Sequence, residues 1–395
     1  MGLTRIGRIL TCALLSLTCL QAHAGQADWA QIKRQANGQT VWFNAWGGDP
    51  AINRYLDWVS DEMKRHYAID LKVVHIADAG DVVTRISSEF RNGQTKGGSV
   101  DLLWINGENF RTLKQGNMLL EGWATSLPNY RYVDSRLPVS EDFALATDGA
   151  ESPWGSAQLM FIARKSVIST PFADPDALLN WAEKNPGKLS YPRPPEFTGS
   201  AFLTQLLINL TGRPEALRHA PNPATQAVVM APLWDYLTKL HPYLWREGRD
   251  FPASSGRMDT MLAQGVLAAS LTFNPAHAHH LVLDGKLPPD SIAFGFRRGM
   301  IGNIHFVAIP RNARSQAAAQ VVANFLLSPA AQWRKAQPQI WGDPSVLYPA
   351  ALPAPWNKRL GDIAATARPL TVISEPNAAW IPLIEHEWQQ RYGSH

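Results

Sequence analysis

The run Thr40-Val-Trp-Phe-Asn-Ala-Trp46, turned through Gly47-Gly48-Asp49-Pro50 into an amphipathic segment, constrains this chain more than any other stretch. Its alternating, aromatic-rich pattern predicts a strand. Asp49 is placed to cap a helix, and Pro50 suits the first helical turn, where its missing N–H is not needed and its φ is already helical. Ile52, Tyr55, Leu56, Val59 and Met63 then recur at spacings of three and four, one apolar stripe with charges elsewhere. A strand that passes through glycines into a helix start predicts a βα unit. In open α/β sheets ligands collect beyond the carboxyl ends of the strands, where this turn falls.

The same grammar recurs along the chain. Leu71 to Ile76 alternates as a strand, and Gly80 to Arg91 reads as a helix carrying Val82, Val83, Ile86 and Phe90. Asp101 to Ile105 is a buried strand ended by Asn106-Gly107, with a helix from Glu108 to Gln115 closed by Gly116. Ser156 to Ala163 predicts a strand following Ser152-Pro153-Trp154-Gly155. Tyr191-Pro-Arg-Pro-Pro195 is held extended, because each proline restricts the residue before it. That segment delivers Glu196-Phe-Thr-Gly-Ser200 to a helix burying Phe202, Leu203, Leu206, Leu207 and Leu210. Val266 to Phe273, broken by Asn274-Pro275, and Ile304 to Ile309 predict two later strands. A helix through Val321, Val322, Phe325 and Leu326 meets Ser328-Pro329, where the next helix is capped. The predicted class is α/β, with mostly parallel sheets and helices on both faces.

Residues 1–24 carry Arg5 and Arg8, the apolar run Ile9 to Leu20, and then Ala22-His23-Ala24, the form of a secretory leader cleaved after Ala24. The apolar run is shorter than the about 20 residues a membrane span needs. Both cysteines, Cys12 and Cys19, fall inside the leader. The mature chain is therefore expected to lack a disulfide framework and thiol catalysis. Ser16-Leu17-Thr18 before Cys19 is a poor match to a lipid-anchor box. A cysteine-free exported chain fits a bacterial periplasm. Without the two leader arginines, 35 basic residues face 33 acidic ones, and no nucleic-acid footprint is visible. Roughly 370 mature residues exceed what one hydrophobic core serves, so two lobes are expected. No low-complexity linker or repeat separates them, which favours crossing strands over a tether.

Val307-Ala-Ile-Pro310, an alanine-rich helix after it, and Asn324-Phe-Leu-Leu-Ser-Pro-Ala-Ala-Gln332 resemble the late segment of family 1 extracellular solute-binding proteins of ABC transporters. Asn44-Ala-Trp-Gly-Gly48, Leu103-Trp-Ile-Asn-Gly-Glu-Asn-Phe110 and Gly302-Asn303 are similar to the YnjB-type branch of that family. The likeness covers nearly the whole mature chain. It implies a type 2 periplasmic-binding-protein fold, in which two α/β lobes close on a small solute and then dock, as a monomer, on an ABC permease driven by a partner ATPase subunit. It also implies that lobe one takes residues 25–153 and 299–346, that lobe two takes 154–298, and that 347–395 pack as surface helices.

The ligand candidates are the turns that both lobes are expected to present to the cleft. Lobe one offers Trp46, Gly47, Gly48, Asn106, Gly107, Glu108 and Asn109, and the crossings offer Trp154 and Asn303. Lobe two offers Tyr191, Arg193, Phe197, Thr198, Gly199, Ser200 and Asn274. Helix-start N–H groups favour accepting or anionic groups, and glycine allows close approach. Aromatic faces suit planar rings, sugars or cations, while Asn both donates and accepts. Trp42 and Trp104 read as core, and Asp49 as a helix cap. Glu108 points to a cationic ligand group and Arg193 to an anionic one. A zwitterion, a polyol, or a phosphorylated or heterocyclic molecule therefore all stay open. No catalytic residue, metal ligand or cofactor is expected.

Other classes have less in the sequence to carry them. His277-Ala-His279-His280 opens a metal-capture reading, without paired Cys or HExxH spacing. An exported hydrolase lacks a Gly-x-Ser-x-Gly elbow. Gly93-Gln-Thr-Lys-Gly97 lacks the spacing of a phosphate-binding loop, so ATP hydrolysis falls to a partner. The 15 tryptophans are spread along the chain rather than gathered into one partner surface.

Overall fold

A computed structural model of the chain describes residues 29–366 and 371–393; the expected leader, residues 1–24, lies outside the described residues. Residues 29–36 form α1, and β1 (Thr40–Trp46) passes through Gly47-Gly48 into α2 (Pro50–Tyr67) as the sequence predicts. Asp49 Oδ1 accepts the Ala51 N–H at 2.7 Å, and the expected stripe from Ile52 to Met63 is buried. β2 (Asp70–Ile76), α3 (Ala79–Arg91), β3 (Leu102–Ile105) and α4 (Gly107–Gln115) follow. The left-handed residue that ends α4 is Asn117, at φ 53°, whereas Gly116 has φ −76°. Asn tolerates that conformation better than most side chains.

After a short hairpin of β4 (Glu141–Asp142) and β5 (Leu145–Ala146), β6 (Glu151–Gln158) runs to the lobe boundary and β7 (Met160–Arg164) enters the second lobe. The single strand expected over 156–163 is thus two, broken at Leu159. Lobe two contains α5 (Pro175–Lys184), α6 (Phe197–Leu210), α7 (Gln226–Leu240), α8 (Ser255–Ala263), β8 (Ala269–Thr272), α9 (His277–Leu283) and β9 (Ser291–Phe294). β10 (Met300–Ala308) then returns to lobe one, followed by α10 (Gln316–Leu326) and α11 (Pro329–Ala336).

β1 pairs in parallel with β2 and β3, in the registers Thr40↔Asp70 and Phe43↔Leu102. β10 runs antiparallel to β3, Phe306 opposite Ile105, and antiparallel to β6, Ile304 opposite Ser156. In lobe two β7 pairs antiparallel with β8 and with β9. The expectation of mostly parallel sheets is therefore corrected to a mixed sheet in lobe one and an antiparallel one in lobe two. A chain that leaves a lobe and comes back lays its outgoing and returning strands side by side in opposite directions.

One core gathers around Phe43, Tyr55, Leu56, Trp154 and Phe306, and the other around Phe161, Tyr191, Phe202, Leu206 and Trp388. Trp154 belongs to the first core while Leu159 opens the second, and on the way back Ile301 lies in the second and Ile304 in the first. The chain leaves at Leu159 rather than near Trp154, because the ladder with β10 keeps residues 151–158 in the first sheet, and it returns at Gly302-Asn303, within the stretch 298–306 where the resemblance implies the return.

The tail departs from the expected surface helices. α12 (Trp356–Thr366) packs Leu360 on the first core, and β11 (Val372–Ser374) pairs with the first residues of β10. α13 (Trp380–Tyr392) buries Trp380, Ile384 and Trp388 in the second core. Their spacing of four is one apolar stripe of a helix. Trp42, expected in the core, is 41% exposed, since side chains alternate along a strand and it points away from Val41 and Phe43.

Candidate functional site

The turns after β1 and β3 with the start of α3, and the starts of α6, α8 and α9 opposite them, enclose a cavity of about 170 Å³. A single water needs about 10–15 Å³ on that scale, so the space takes an organic molecule rather than a bare ion. Trp46, Gly48, Asn106 and Asn109 line it from lobe one, and Phe197, Thr198 and Asn274 from lobe two, with Asn303 at the crossing.

Local chemistry explains these placements. A Cβ on Gly48 would stand 2.2 Å from the Trp46 indole, so glycine there lets the ring lie along the turn. Phe197, 39% exposed, packs on Phe273 with ring centroids 4.8 Å apart. Asn274 Nδ2 donates to the Trp341 carbonyl at 3.3 Å, across the lobes. Asn303 Nδ2 donates to Glu375 Oε1 at 3.2 Å, and its Oδ1 has no partner among the described residues.

The other candidates do not line the cavity. Trp154 is fully buried against Phe43, Trp104 and Trp341, at centroid distances of 5.8, 4.8 and 5.2 Å. Tyr191 is equally buried, its hydroxyl 2.8 Å from His241 Nε2 and from Trp388 Nε1. Arg193 pairs with Asp250 at 3.3 Å where both side chains meet solvent. At Gly199 a Cβ would stand 2.0 Å from the Pro192 carbonyl oxygen, so close packing of α6 requires the glycine. Gly107 adopts φ 61° and donates its N–H to Asp142 Oδ2 at 2.7 Å. Gly47 is pressed against His75, 2.5 Å from where its Cβ would be. Ser200 Oγ donates to Glu385 Oε1. Glu108 is not among the lining residues, and burial and then the Asp78 charge raise its carboxyl.

Sequence reasoning missed the groups that set the charge of the cleft. Asp78, Glu196, Asp259 and Asp343 line it together with Asp49, and no Lys or Arg is among the described lining residues. Asp49 caps α2 and also reaches lobe two, with Oδ2 3.0 Å from His277 Nδ1. His277 Nε2 lies 2.8 Å from Asp259 Oδ2. Burial would lower this imidazole, but the hydrogen bonds and charges of Asp259 and Asp49 push it up to about 10. Trp104, read as core, joins the lining beside Trp341, which stacks on His305 at 5.7 Å and 9°. His305 Nε2 is 3.0 Å from Asp343 Oδ2, and the buried Lys335 Nζ is 2.6 Å from that same oxygen. Burial raises the Asp343 carboxyl, yet His305 and Lys335 hold it below the usual range. From α13, Glu385 is pushed up to about 8 by burial and then by the charges of Glu108 and Asp78 across the lobe boundary. Most of these pairs join residues far apart in the chain, and no local spacing announces them.

A family model for bacterial extracellular solute-binding proteins matches residues 57–361. The chain is 62% identical over 382 residues to protein YnjB of Escherichia coli (strain K12), a match that covers 97% of this chain and 98% of that one. The periplasmic binding protein AfuA from Actinobacillus pleuropneumoniae, solved with fructose-6-phosphate, superposes with a TM-score of 0.63 at 12% identity over 90% of this chain and 99% of that one. A putative spermidine/putrescine ABC transporter from Listeria monocytogenes superposes with a TM-score of 0.61 at 16% identity over 89% and 99%.

Proposed function

The chain belongs to the bacterial extracellular solute-binding protein family, and we propose that its solute is an organic cation with a planar or apolar body. The fold is that of type 2 periplasmic binding proteins, and the protein is the substrate-binding component of an ABC importer. In this reading the mature protein works in the periplasm after loss of residues 1–24. It captures solute by lobe closure without turnover, as a monomer, and hands it to a permease whose ATPase subunit supplies the energy.

The observation that carries the solute class is the charge of the cavity wall. Among the described residues, five carboxylates line it against two imidazoles, with no lysine or arginine. Trp46, Trp104, Trp341, Phe197 and Phe273 add aromatic faces, which attract cations through the ring quadrupole. A sugar phosphate, the ligand of one structural relative, would meet five carboxylates, and the raised imidazole of His277 is already held between Asp49 and Asp259. The anionic alternative rested on Arg193 and on the helix start at Thr198 to Ser200; Arg193 is committed to Asp250 outside the cavity, and at the helix start the Gly199 N–H already donates to Glu196 Oε2 at 2.9 Å.

The test is melting temperature of the mature protein, refolded from denaturant to strip carried-over ligand, against matched panels of organic cations and organic phosphates. A ligand at a hundred times its dissociation constant adds about 2.7 kcal/mol of stability. Stabilisation by cations alone is expected; stabilisation by phosphates alone sinks the reading.

A further inference from the structure

We propose that Asp49, His277 and His280 hold one divalent transition-metal ion of the zinc, cobalt or nickel type across the boundary between the lobes. One ligand atom from each residue lies within 4.8 Å of the other two, and all three residues are buried. Asp49 comes from the start of α2 in lobe one, and both histidines come from α9 in lobe two. The 3.0 Å between Asp49 Oδ2 and His277 Nδ1 is close to the roughly 3.3 Å that separates two donors on a tetrahedral ion with bonds of about 2.0–2.1 Å.

Each imidazole has an outer partner on Nε2, as metal-binding histidines do, while His277 Nδ1 is engaged with Asp49 Oδ2, a contact whose proton is released when the ion takes both atoms as ligands. His277 Nε2 lies 2.8 Å from Asp259 Oδ2, and Asp259 Oδ1 accepts the Ser270 hydroxyl at 2.6 Å. His280 Nε2 donates to the Pro338 carbonyl at 2.6 Å. A carbonyl only accepts, so in the neutral ring the proton sits on Nε2 and Nδ1 carries the lone pair. That Nδ1 has no partner among the described residues, although the residue is 5% exposed, a condition that protein interiors seldom keep. Two imidazoles and one carboxylate suit a borderline-soft ion and leave a further coordination position. Asp49 and His277 line the cavity, so that position opens toward the cleft. An ion bound there ties lobe one to lobe two and favours the closed arrangement.

The test is calorimetric titration of the refolded, chelator-washed mature protein with Zn²⁺ in the absence of solute, paired with small-angle scattering. His280→Gln keeps an N–H donor for the Pro338 carbonyl but removes the imidazole lone pair, and His279→Ala removes the exposed neighbouring histidine. We expect one ion per chain, a smaller radius of gyration on binding, affinity at least tenfold weaker in H280Q, and no change in H279A. The proposal is overturned if no saturable site exists, if H280Q binds as tightly as the parent, or if the loss follows His279 instead. Should circular dichroism show H280Q unfolded, Asp49→Asn, which keeps a side chain able to cap α2, makes the same comparison. Because no solute is present, a negative result here leaves the organic-cation reading standing, and a failed solute screen leaves this one standing.

Discussion

Tyr191 accepts the indole N–H of Trp388 at 2.8 Å, tying the last helix of the chain to the extended segment ahead of α6. The same hydroxyl meets His241 Nε2 at 2.8 Å, and burial lowers that imidazole to about 4, so it is neutral at physiological pH.

The first prediction follows from that contact. Tyr191→Phe keeps the ring but strips a partner from two buried groups, which costs about 1–3 kcal/mol. Tyr191→Ala empties a large core site and is expected to cost about 3–5 kcal/mol. Urea denaturation without solute measures both. An intact denaturation midpoint combined with weakened solute binding would return Tyr191 to the cleft.

Trp46 is expected to behave in the opposite way. Its indole lines the cavity beside Gly48 and is only half-buried. Trp46→Ala is expected to weaken solute binding by about 1–3 kcal/mol, with a smaller loss of unliganded stability than Tyr191→Ala. Calorimetry with the stabilising solute, read beside the unliganded melting point, separates the two effects.

These two aromatics show where sequence reading stops. The strand, Gly-Gly turn and Asp49-Pro50 cap were legible because each depends on residues within a few positions, and the structure reproduces them. The Ser328 cap of α11 was legible for the same reason, its hydroxyl accepting the Ala331 N–H at 3.2 Å. Whether an aromatic faces ligand or core depends instead on partners supplied from elsewhere. Tyr191 is covered by a helix 197 positions away. Asp49 meets His277 across 228 positions, so it looked like a cap alone. Trp104 reads as an ordinary strand residue until Trp341 arrives beside it, at 5.7 Å. The chain's departure from lobe one at Leu159 was hidden because no proline or glycine stands between the end of β6 and β7 to mark the break, so Ser156 to Ala163 reads as one strand.

Gly199 and Gly212 make a matched pair at the two ends of α6. A methyl group on Gly199 would stand 2.0 Å from a backbone oxygen, whereas one on Gly212 meets nothing within 4 Å. Gly199→Ala is therefore expected to cost about 1–3 kcal/mol through overpacking. Gly212→Ala is expected to be neutral or to stabilise by up to about 1 kcal/mol, because it restricts the unfolded chain. Equal thermal shifts in the two variants would contradict the packing account of Gly199.

Glu375 sets the last expectation, a pH dependence of stability. Its carboxyl is pushed up to about 8 by burial, against the opposing hydrogen bond from Asn303. A carboxyl that holds its proton more tightly folded than unfolded contributes stability in full below its ordinary value near 4.5. The contribution falls as pH rises from there toward 8, by about 1.4 kcal/mol for each pH unit spent between the two values. Glu385, raised to about 8 from α13, loses stability over the same window, so each substitution removes part of the slope. Glu375→Gln keeps the shape without the ionisation. Its stability relative to the parent protein is therefore expected to improve between pH 5 and pH 8, and Glu375→Gln combined with Glu385→Gln is expected to improve it further. Denaturation midpoints of the three proteins at pH 5, 6.5 and 8 give the comparison. Curves that stay parallel across that range would mean that Glu375 ionises in the folded protein as it does in water.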